Sequence, residues 1–305
     1  MKAGTNLEKV LDSGSFAVTA EAGPPRGAVP SVMQRKGELL KPCCDALNVT
    51  DNQTAIVRMS SISGCILLKQ LGVDPVMQVV CRDRNRIALQ SDILGAIALG
   101  IGNVLCLTGD HQKFGDHPSA KGVFDLDSIQ LIQMLSKMRD EKKFLSGERI
   151  SGEAPLFIGA AENPYADPFE YRVLRLAKKV KAGADFIQAQ AVFDVGKFTK
   201  WMEMVTDRGL DKEIHILAGI IPIKSVGMAR YMRDNVPGVS VPDEIVTRME
   251  DAKDTREEGL KICLEIIEQI KDIPGVHGIH IMAVAWEDIV PTIMEKAGLL
   301  PRPLI

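Results

Sequence analysis

Short apolar runs recur along the chain, and each is followed by a longer segment with apolar residues every three or four positions. Eight runs stand out: Phe16–Glu21, Ala46–Thr50, Val76–Cys81, Asn103–Leu107, Pro155–Ala160, Phe186–Ala191, His215–Ile221 and Gly278–Ala285. Each is apolar nearly throughout rather than alternating, which predicts parallel strands buried on both faces. The segments Asn85–Leu99, Asp127–Arg139, Pro168–Ala182, Asp194–Asp207 and Glu287–Ala297 carry one apolar stripe instead. In the second, Ile129, Leu131, Ile132, Leu135 and Met138 form it. That spacing predicts amphipathic helices.

Polar and special residues punctuate the pattern. Ser60 or Ser61 and Asp125 or Asp127 can cap helix starts, and Pro168 suits a first turn. Gly183 and Gly298 suit helix ends. Two helical patterns follow one another between Pro242 and Ile273, which predicts an extra helix before the last strand. Eight strand–helix units in 305 residues predict a (β/α)8 TIM barrel, read as one domain over 1–305. The alternative is an open doubly wound sheet. Its glycine-rich turn would follow the first strand, whereas Gly100 and Gly102 precede a strand here.

A barrel enzyme places its chemistry at the C-terminal ends of its strands, and those ends are polar here. Strand one ends Ala20-Glu21-Ala22-Gly23-Pro24-Pro25-Arg26. Strand two ends at Thr50, Asp51 and Asn52, and strand three at Cys81, Arg82 and Asp83. Strand four ends Leu107-Thr108-Gly109-Asp110, and strand five runs into Glu162 and Asn163. Glu21 sits between alanines ahead of a rigid Pro-Pro. Desolvation there would raise its pKa, as a general acid needs, unless solvent or Arg26 pairs it. Asp110 follows Gly109, which permits close backbone approach to a ligand; a turn aspartate capping a nearby backbone amide is an equal alternative. Gln190 is an amide in an apolar strand, suited to a heterocycle edge or to a backbone partner. Lys178 and Lys179 could meet phosphates or simply suit a helix end. His111 and His117 lie in a long loop, 110–122, beside the expected mouth, a place for a lid or partner surface.

Composition removes several classes. With 40 acidic and 37 basic residues and a net charge of −3, the chain has no basic footprint for nucleic acid. No apolar run is long enough to span a bilayer and no signal peptide is evident, so a cytoplasmic protein is expected. The six cysteines lack Cys-x-x-Cys spacing and are expected to be buried, reduced thiols, with no metal site.

Taken in order, the strand ends resemble the methylenetetrahydrofolate reductase family over nearly the whole chain. The matching stretches are Glu21 with Pro24-Pro25-Arg26, Thr50, Leu107-Thr108-Gly109-Asp110, and Gly183-Ala184-Asp185 followed by Gln190 and Phe193-Asp194-Val195. The last is Ala218-Gly219-Ile220-Ile221-Pro222. The resemblance implies reduction of 5,10-methylenetetrahydrofolate to 5-methyltetrahydrofolate, by hydride transfer from flavin N5. Glu21 would be the general acid. Asp110 would contact folate and tune the flavin, and Gln190 and Val226 would bind folate. Thr50, Gln78, Leu107, Thr108, Gly109, Asp110, Phe124, Asp125, Glu162, Asn163, Lys178 and Lys179 would surround the cofactor.

The chain departs from the family at Gln78, often histidine, and at Thr108, often arginine. Phe124 stands for a tyrosine, and a Lys-Arg-Lys pattern is reduced to Lys178-Lys179. The implied cofactor is FAD, with FMN as the alternative. The segment His111-Gln112-Lys113-Phe114-Gly115-Asp116-His117-Pro118 resembles a subgroup found in anaerobes and in fusions with homocysteine methyltransferase domains, which implies NADH or a protein electron donor, such as an iron–sulfur partner subunit, and an oligomer or heterocomplex. Competing readings are a flavin-free folate-binding methyltransferase barrel and a flavin subunit dependent on a protein donor.

Overall fold

The structure is a computed structural model and describes residues 2–236 and 238–305. Eight parallel strands form a closed barrel in sequence order. They are β1 (Ala17–Glu21), β2 (Ala46–Val49), β3 (Pro75–Val80), β4 (Asn103–Leu107), β5 (Phe157–Glu162), β6 (Phe186–Ala191), β7 (His215–Ile220) and β8 (Gly278–Ile281). Closure comes from β1 pairing with β8, with Thr19 opposite His280. The helices are α1 (Asn6–Asp12), α2 (Pro30–Leu40), α3 (Ser61–Gln70), α4 (Arg86–Ala98), α5 (Ser128–Ser136) and α6 (Tyr171–Ala182). They continue with α7 (Val195–Asp207), α8 (Val226–Asn235), α9 (Asp243–Asp251), α10 (Thr255–Lys271) and α11 (Val290–Lys296). The fold read from the apolar pattern is the fold observed. The two patterns after Pro242 are α9 and α10, and with α8 they put three helices between β7 and β8.

Capping explains most helix boundaries. Ser60 accepts from the Ser63 N–H ahead of α3. Asp127 and Gln130 form a reciprocal capping box at α5, so Asp127 rather than Asp125 is the cap. Gly183 ends α6 at a φ of 105°, where a side chain would be strained. Three boundaries differ from expectation. Helix α6 starts at Tyr171, not Pro168, because a turn intervenes in which the Tyr171 N–H donates to the Pro168 carbonyl. Strand β5 runs to Glu162, so its last carboxylate belongs to the barrel wall. Strand β8 stops at Ile281, and Ala285 beyond it takes a left-handed φ of 51°.

Helix α1 had no forecast; seven residues are too few to establish a period. It closes the N-terminal end of the barrel. Leu7, Val10 and Leu11 pack with Ala17, Ala46, Val76, Leu105, Phe157, Phe186 and Leu217. Phe157 stacks on Phe186 at 5.1 Å between ring centroids. Gly159 makes room for that ring, since a Cβ there would lie 2.2 Å from Phe186. Polar contacts hold the plug in place: the Leu7 N–H donates to Asp74 at 2.9 Å, and Glu8 accepts from the Gly4 N–H at 2.6 Å.

Above this apolar layer the barrel interior turns polar. Thr19, Asn48, Gln188 and His280, from β1, β2, β6 and β8, are each 3% exposed or less. They satisfy one another by hydrogen bonds described below, so their burial costs little net free energy. Because Leu7 lies at the centre of the plug, Leu7→Ala is expected to destabilise the chain by about 2–5 kcal/mol. Denaturant unfolding measures this, and a loss under 1 kcal/mol would mean that α1 does not seal the barrel.

Candidate active site

Strand alternation decides which side chains reach the mouth. Residues two apart share a face, so the interior positions Thr19, Asn48 and His280 are followed upward by Glu21, Thr50 and Met282; on β6 the register shifts between Gln188 and Ala191, and Gln188 and Gln190 both line the mouth. Glu21, Gln190 and Met282 line a cavity of about 540 Å³ at the C-terminal end. An adjoining cavity of about 260 Å³ shares Glu21, Gln78, Leu107, Thr108 and Asp110 with it and adds Thr50 and Gly109. The larger of these two neighbouring cavities is of a size that suits a small-molecule ligand. Glu162, Asn163 and Lys179 form its β5–α6 wall.

Two polar side chains that line these cavities have hydrogen-bonding capacity left over. Thr50 is 1% exposed and its hydroxyl oxygen has no hydrogen bond among the described residues. A buried polar atom of this kind is costly unless something completes it. Gln190 uses its Oε1 to accept from the Ala191 N–H at 3.1 Å, which leaves its amide nitrogen for the cavity. Gly109 lets the β4 turn pass close to β3: its φ is 91°, and a Cβ would lie 3.1 Å from Val80. Glu21 is not paired with Arg26, whose guanidinium bonds Asp116 at 2.6 Å. His280 Nε2 lies 3.9 Å from Glu21 Oε1.

Buried Arg82 ties the loops of this wall together. It donates to the Asp110 carbonyl at 3.1 Å and the Asn52 carbonyl at 3.2 Å, and it bonds Asp83 beside it at 2.8 Å. Three neighbouring loops thus hang on one guanidinium, in the planar multi-donor geometry that lysine lacks.

Helix α6 supplies the cationic side. Arg172 and Arg175 line the cavity together with Lys179, at i, i+3 and i+7, one face of a helix. Lys179 is 4% exposed and donates to Glu162, also 4% exposed, at 2.5 Å. Burial pushes the Lys179 ammonium down from its ordinary range, while Glu162 pulls it up. Its charge is therefore already spent on Glu162. The two arginines take no carboxylate partner among the described residues, so the cationic potential of the cavity is theirs.

Of the residues singled out in the sequence, Glu21, Thr50, Gln78, Leu107, Thr108, Gly109, Asp110, Glu162, Asn163, Lys179 and Gln190 come together here. Four do not line it. Lys178 sits about 100° around the helix from Lys179, exposed, with its ammonium 5.7 Å from the Tyr171 ring centre. Asp125 is taken by Arg86, whose hydrogen bonds pull its carboxyl down to about 2. Phe124 is 37% exposed with a strained φ of 41°, and Val226 opens α8 against the core. Arg172, Arg175 and His280 went unnoticed in the sequence. The arginines were legible as a helical face; His280 was not, because its partners come from other strands. His111 and His117 stay on the surface loop, and no cluster of three metal-ligating side chains exists among the described residues. All six cysteines are buried and free, as expected.

A closed (β/α)8 barrel with polar cavities at the C-terminal mouth has the form of a barrel enzyme. Comparison with known proteins narrows this: the chain belongs to the methylenetetrahydrofolate reductase family, whose model matches residues 6–298. It is 27% identical over 240 residues to methylenetetrahydrofolate reductase 1 of Schizosaccharomyces pombe, covering 76% of this chain and 37% of that protein. It is 22% identical over 237 residues to the 5,10-methylenetetrahydrofolate reductase of Salmonella typhimurium, covering 76% of this chain and 73% of that protein. The chain thus spans well under half the length of the fission-yeast relative. Among solved structures, an uncharacterised protein from Clostridium thermocellum, described as binding two copies of 5-methyl-5,6,7,8-tetrahydrofolic acid, superposes with a TM-score of 0.70. That match has 13% identity and covers 96% of this chain and all of that one; at this identity it speaks for the fold. No helix among the described residues is long and apolar enough to cross a membrane.

The Lys179–Glu162 pair yields a stability test. Lys179→Met leaves a buried carboxylate unpaired and is expected to cost about 3–5 kcal/mol at neutral pH. Adding Glu162→Gln should recover much of it; thermal unfolding of both variants measures the coupling, and additive losses would show that the two groups act independently.

Proposed function

We infer that the chain reduces 5,10-methylenetetrahydrofolate to 5-methyltetrahydrofolate with a bound flavin. The observation that carries this is the meeting of Glu21, Asp110 and Gln190 at one cavity, with Thr50 and its orphaned hydroxyl in the lining of a second cavity that shares Glu21 and Asp110. Family membership supplies the reaction class, and the cavity supplies fitting groups. The Thr50 hydroxyl and the Gln78 amide suit the polar rim of a flat heterocycle, and Leu107 offers it an apolar face. Arg172 and Arg175 suit its phosphate, with Lys179 tied to Glu162. The group is read as FAD, with FMN as the alternative to be separated by mass.

A bound flavin supplies hydride transfer to the one-carbon unit, chemistry no side chain here can perform. The chain's own residues bind, orient and move one proton. Opening the bridged folate requires a proton on the departing nitrogen N10, and Glu21 donates it, leaving its carboxylate in the cavity. The free amide nitrogen of Gln190 donates to the pterin edge. Asp110, at the rim between both cavities, accepts from the pterin ring and sets the local charge near the flavin. Holding the two rings together removes several kcal/mol of the barrier.

The electron donor is NADH or a partner protein such as an iron–sulfur subunit. Anaerobic titration of the purified protein decides: bleaching of the flavin by NADH identifies a stand-alone reductase. Bleaching only by reduced viologen identifies a protein donor, and a colourless protein that takes up no flavin overturns the reading in favour of a methyltransferase barrel. Glu21→Gln should retain flavin and its reduction yet lose about 10²–10⁴-fold in folate reduction. Normal turnover by that variant would remove Glu21 as the acid. Arg175→Ala should weaken flavin retention on dilution about tenfold or more; unchanged retention would take the phosphate away from α6.

A further inference from the structure

His280 of β8 is 3% exposed in the cavity floor, and the chemistry above makes no use of it. Its Nδ1 lies 2.9 Å from Thr19 Oγ1, its register partner on β1. The Thr19 oxygen already accepts from Gln188 Nε2 at 3.1 Å. Gln188 is fixed in turn by a reciprocal amide pair with Asn48: Asn48 Nδ2 donates to Gln188 Oε1 at 2.6 Å, and Gln188 Nε2 donates to Asn48 Oδ1 at 3.0 Å.

This chain of bonds has a direction. A hydroxyl that accepts from an amide still has its own proton to place, and His280 Nδ1 is the acceptor in reach. Nδ1 therefore accepts, and the neutral ring carries its proton on Nε2. That nitrogen faces the Glu21 carboxyl at 3.9 Å. The separation is longer than a hydrogen bond, and contacts of this kind commonly tighten once substrate is bound. Around the ring, β1 presents Thr19 and Glu21, β7 presents Gly219 in register, β6 presents Gln188 and Gln190, and β8 itself presents Met282. The other charged groups at the cavity are Asp110, the Glu162–Lys179 pair, Arg172 and Arg175. Among the carboxylates of the described residues, Glu21 is the one within 4 Å of a ring nitrogen.

We propose that His280 is a positioning residue for Glu21, held by Thr19, Gln188 and Asn48 as the Nε2–H tautomer and aimed at the carboxyl group. It rests on the reading of Glu21 as proton donor. When the Glu21 O–H bond breaks and its proton passes to the substrate nitrogen, the remaining carboxylate accepts from His280 Nε2–H. No proton leaves the imidazole. Glu21 recovers its proton from water at the mouth, where its side chain is 18% exposed.

Two measurements on the holo protein need no turnover. Long-range ¹H–¹⁵N correlation of histidine-labelled protein reads the tautomer, with His280 assigned by loss of its signals in His280→Gln. Protonated Nε2 and bare Nδ1 are expected; the opposite tautomer overturns the proposal. The carboxyl ¹³C shift of Glu21 is then titrated in wild type, His280→Leu, His280→Gln and Thr19→Val. Removing the donor in His280→Leu should raise the midpoint by roughly one pH unit. Thr19→Val should raise it partway, and His280→Gln, which keeps an N–H, should stay near wild type. In stopped-flow folate reduction the alkaline limb should move the same way and the rate in His280→Leu should fall about tenfold, with flavin reduction by the donor unchanged. An unmoved midpoint in both His280→Leu and Thr19→Val, or equal effects of Gln and Leu, overturns it. If the titrations behave as expected but Glu21→Gln still reduces folate, the acid reading falls and the coupling between His280 and Glu21 stands.

Discussion

The hydrogen-bond chain from Asn48 through Gln188 and Thr19 to His280 is the constraint on which the rest of this barrel depends. It crosses the interior between β2, β6, β1 and β8, where a barrel of this type ordinarily packs branched apolar residues. Four buried polar side chains tolerate that position because each is satisfied by another. The bonds demand one register, since a slip of one residue would turn every partner toward the helices. The same layer forms the floor on which Glu21, Thr50, Gln190 and Met282 stand. Below it, α1 and the Phe157–Phe186 stack exclude water, so the polar layer is open only toward the cavity.

Charge in the cavity is arranged by burial as much as by residue type. Lys179 and Glu162 neutralise each other in the wall, and Arg84 is paired with Asp51 in the layer behind. Arg82 is bound to Asp83 and two loop carbonyls. These cations stabilise the loops. Arg172 and Arg175 remain to attract an anionic group, while Glu21 and Asp110 face the same space from β1 and β4. A cavity with an acid on one side and guanidiniums on the other can orient a ligand that is phosphorylated at one end and protonatable at the other.

Much of this was legible along the chain because it follows from periodicity and local chemistry. Apolar runs buried on both faces need neighbours on both sides, and helices of suitable length between them give the alternation of a barrel. Strand ends such as Ala20-Glu21-Ala22 and Thr108-Gly109-Asp110 put polar atoms at a known end of that barrel, which is why eleven of the proposed site residues converge. The capping of α3 by Ser60 and of α5 by Asp127 is equally local.

What the sequence by itself determined is therefore the barrel, the end at which its polar groups gather, and the family to which its motifs belong. Tertiary structure alone decided which charges are left over. Lys178 and Lys179 are adjacent in the chain, yet one points to solvent and the other is buried on Glu162, because successive helical residues diverge by about 100°. His280 acquires a role only through Thr19, 261 positions away, and through the inter-strand register that sets them side by side. Hydrogen-bond partnership and burial depend on distances between distant segments, and no local pattern carries those distances.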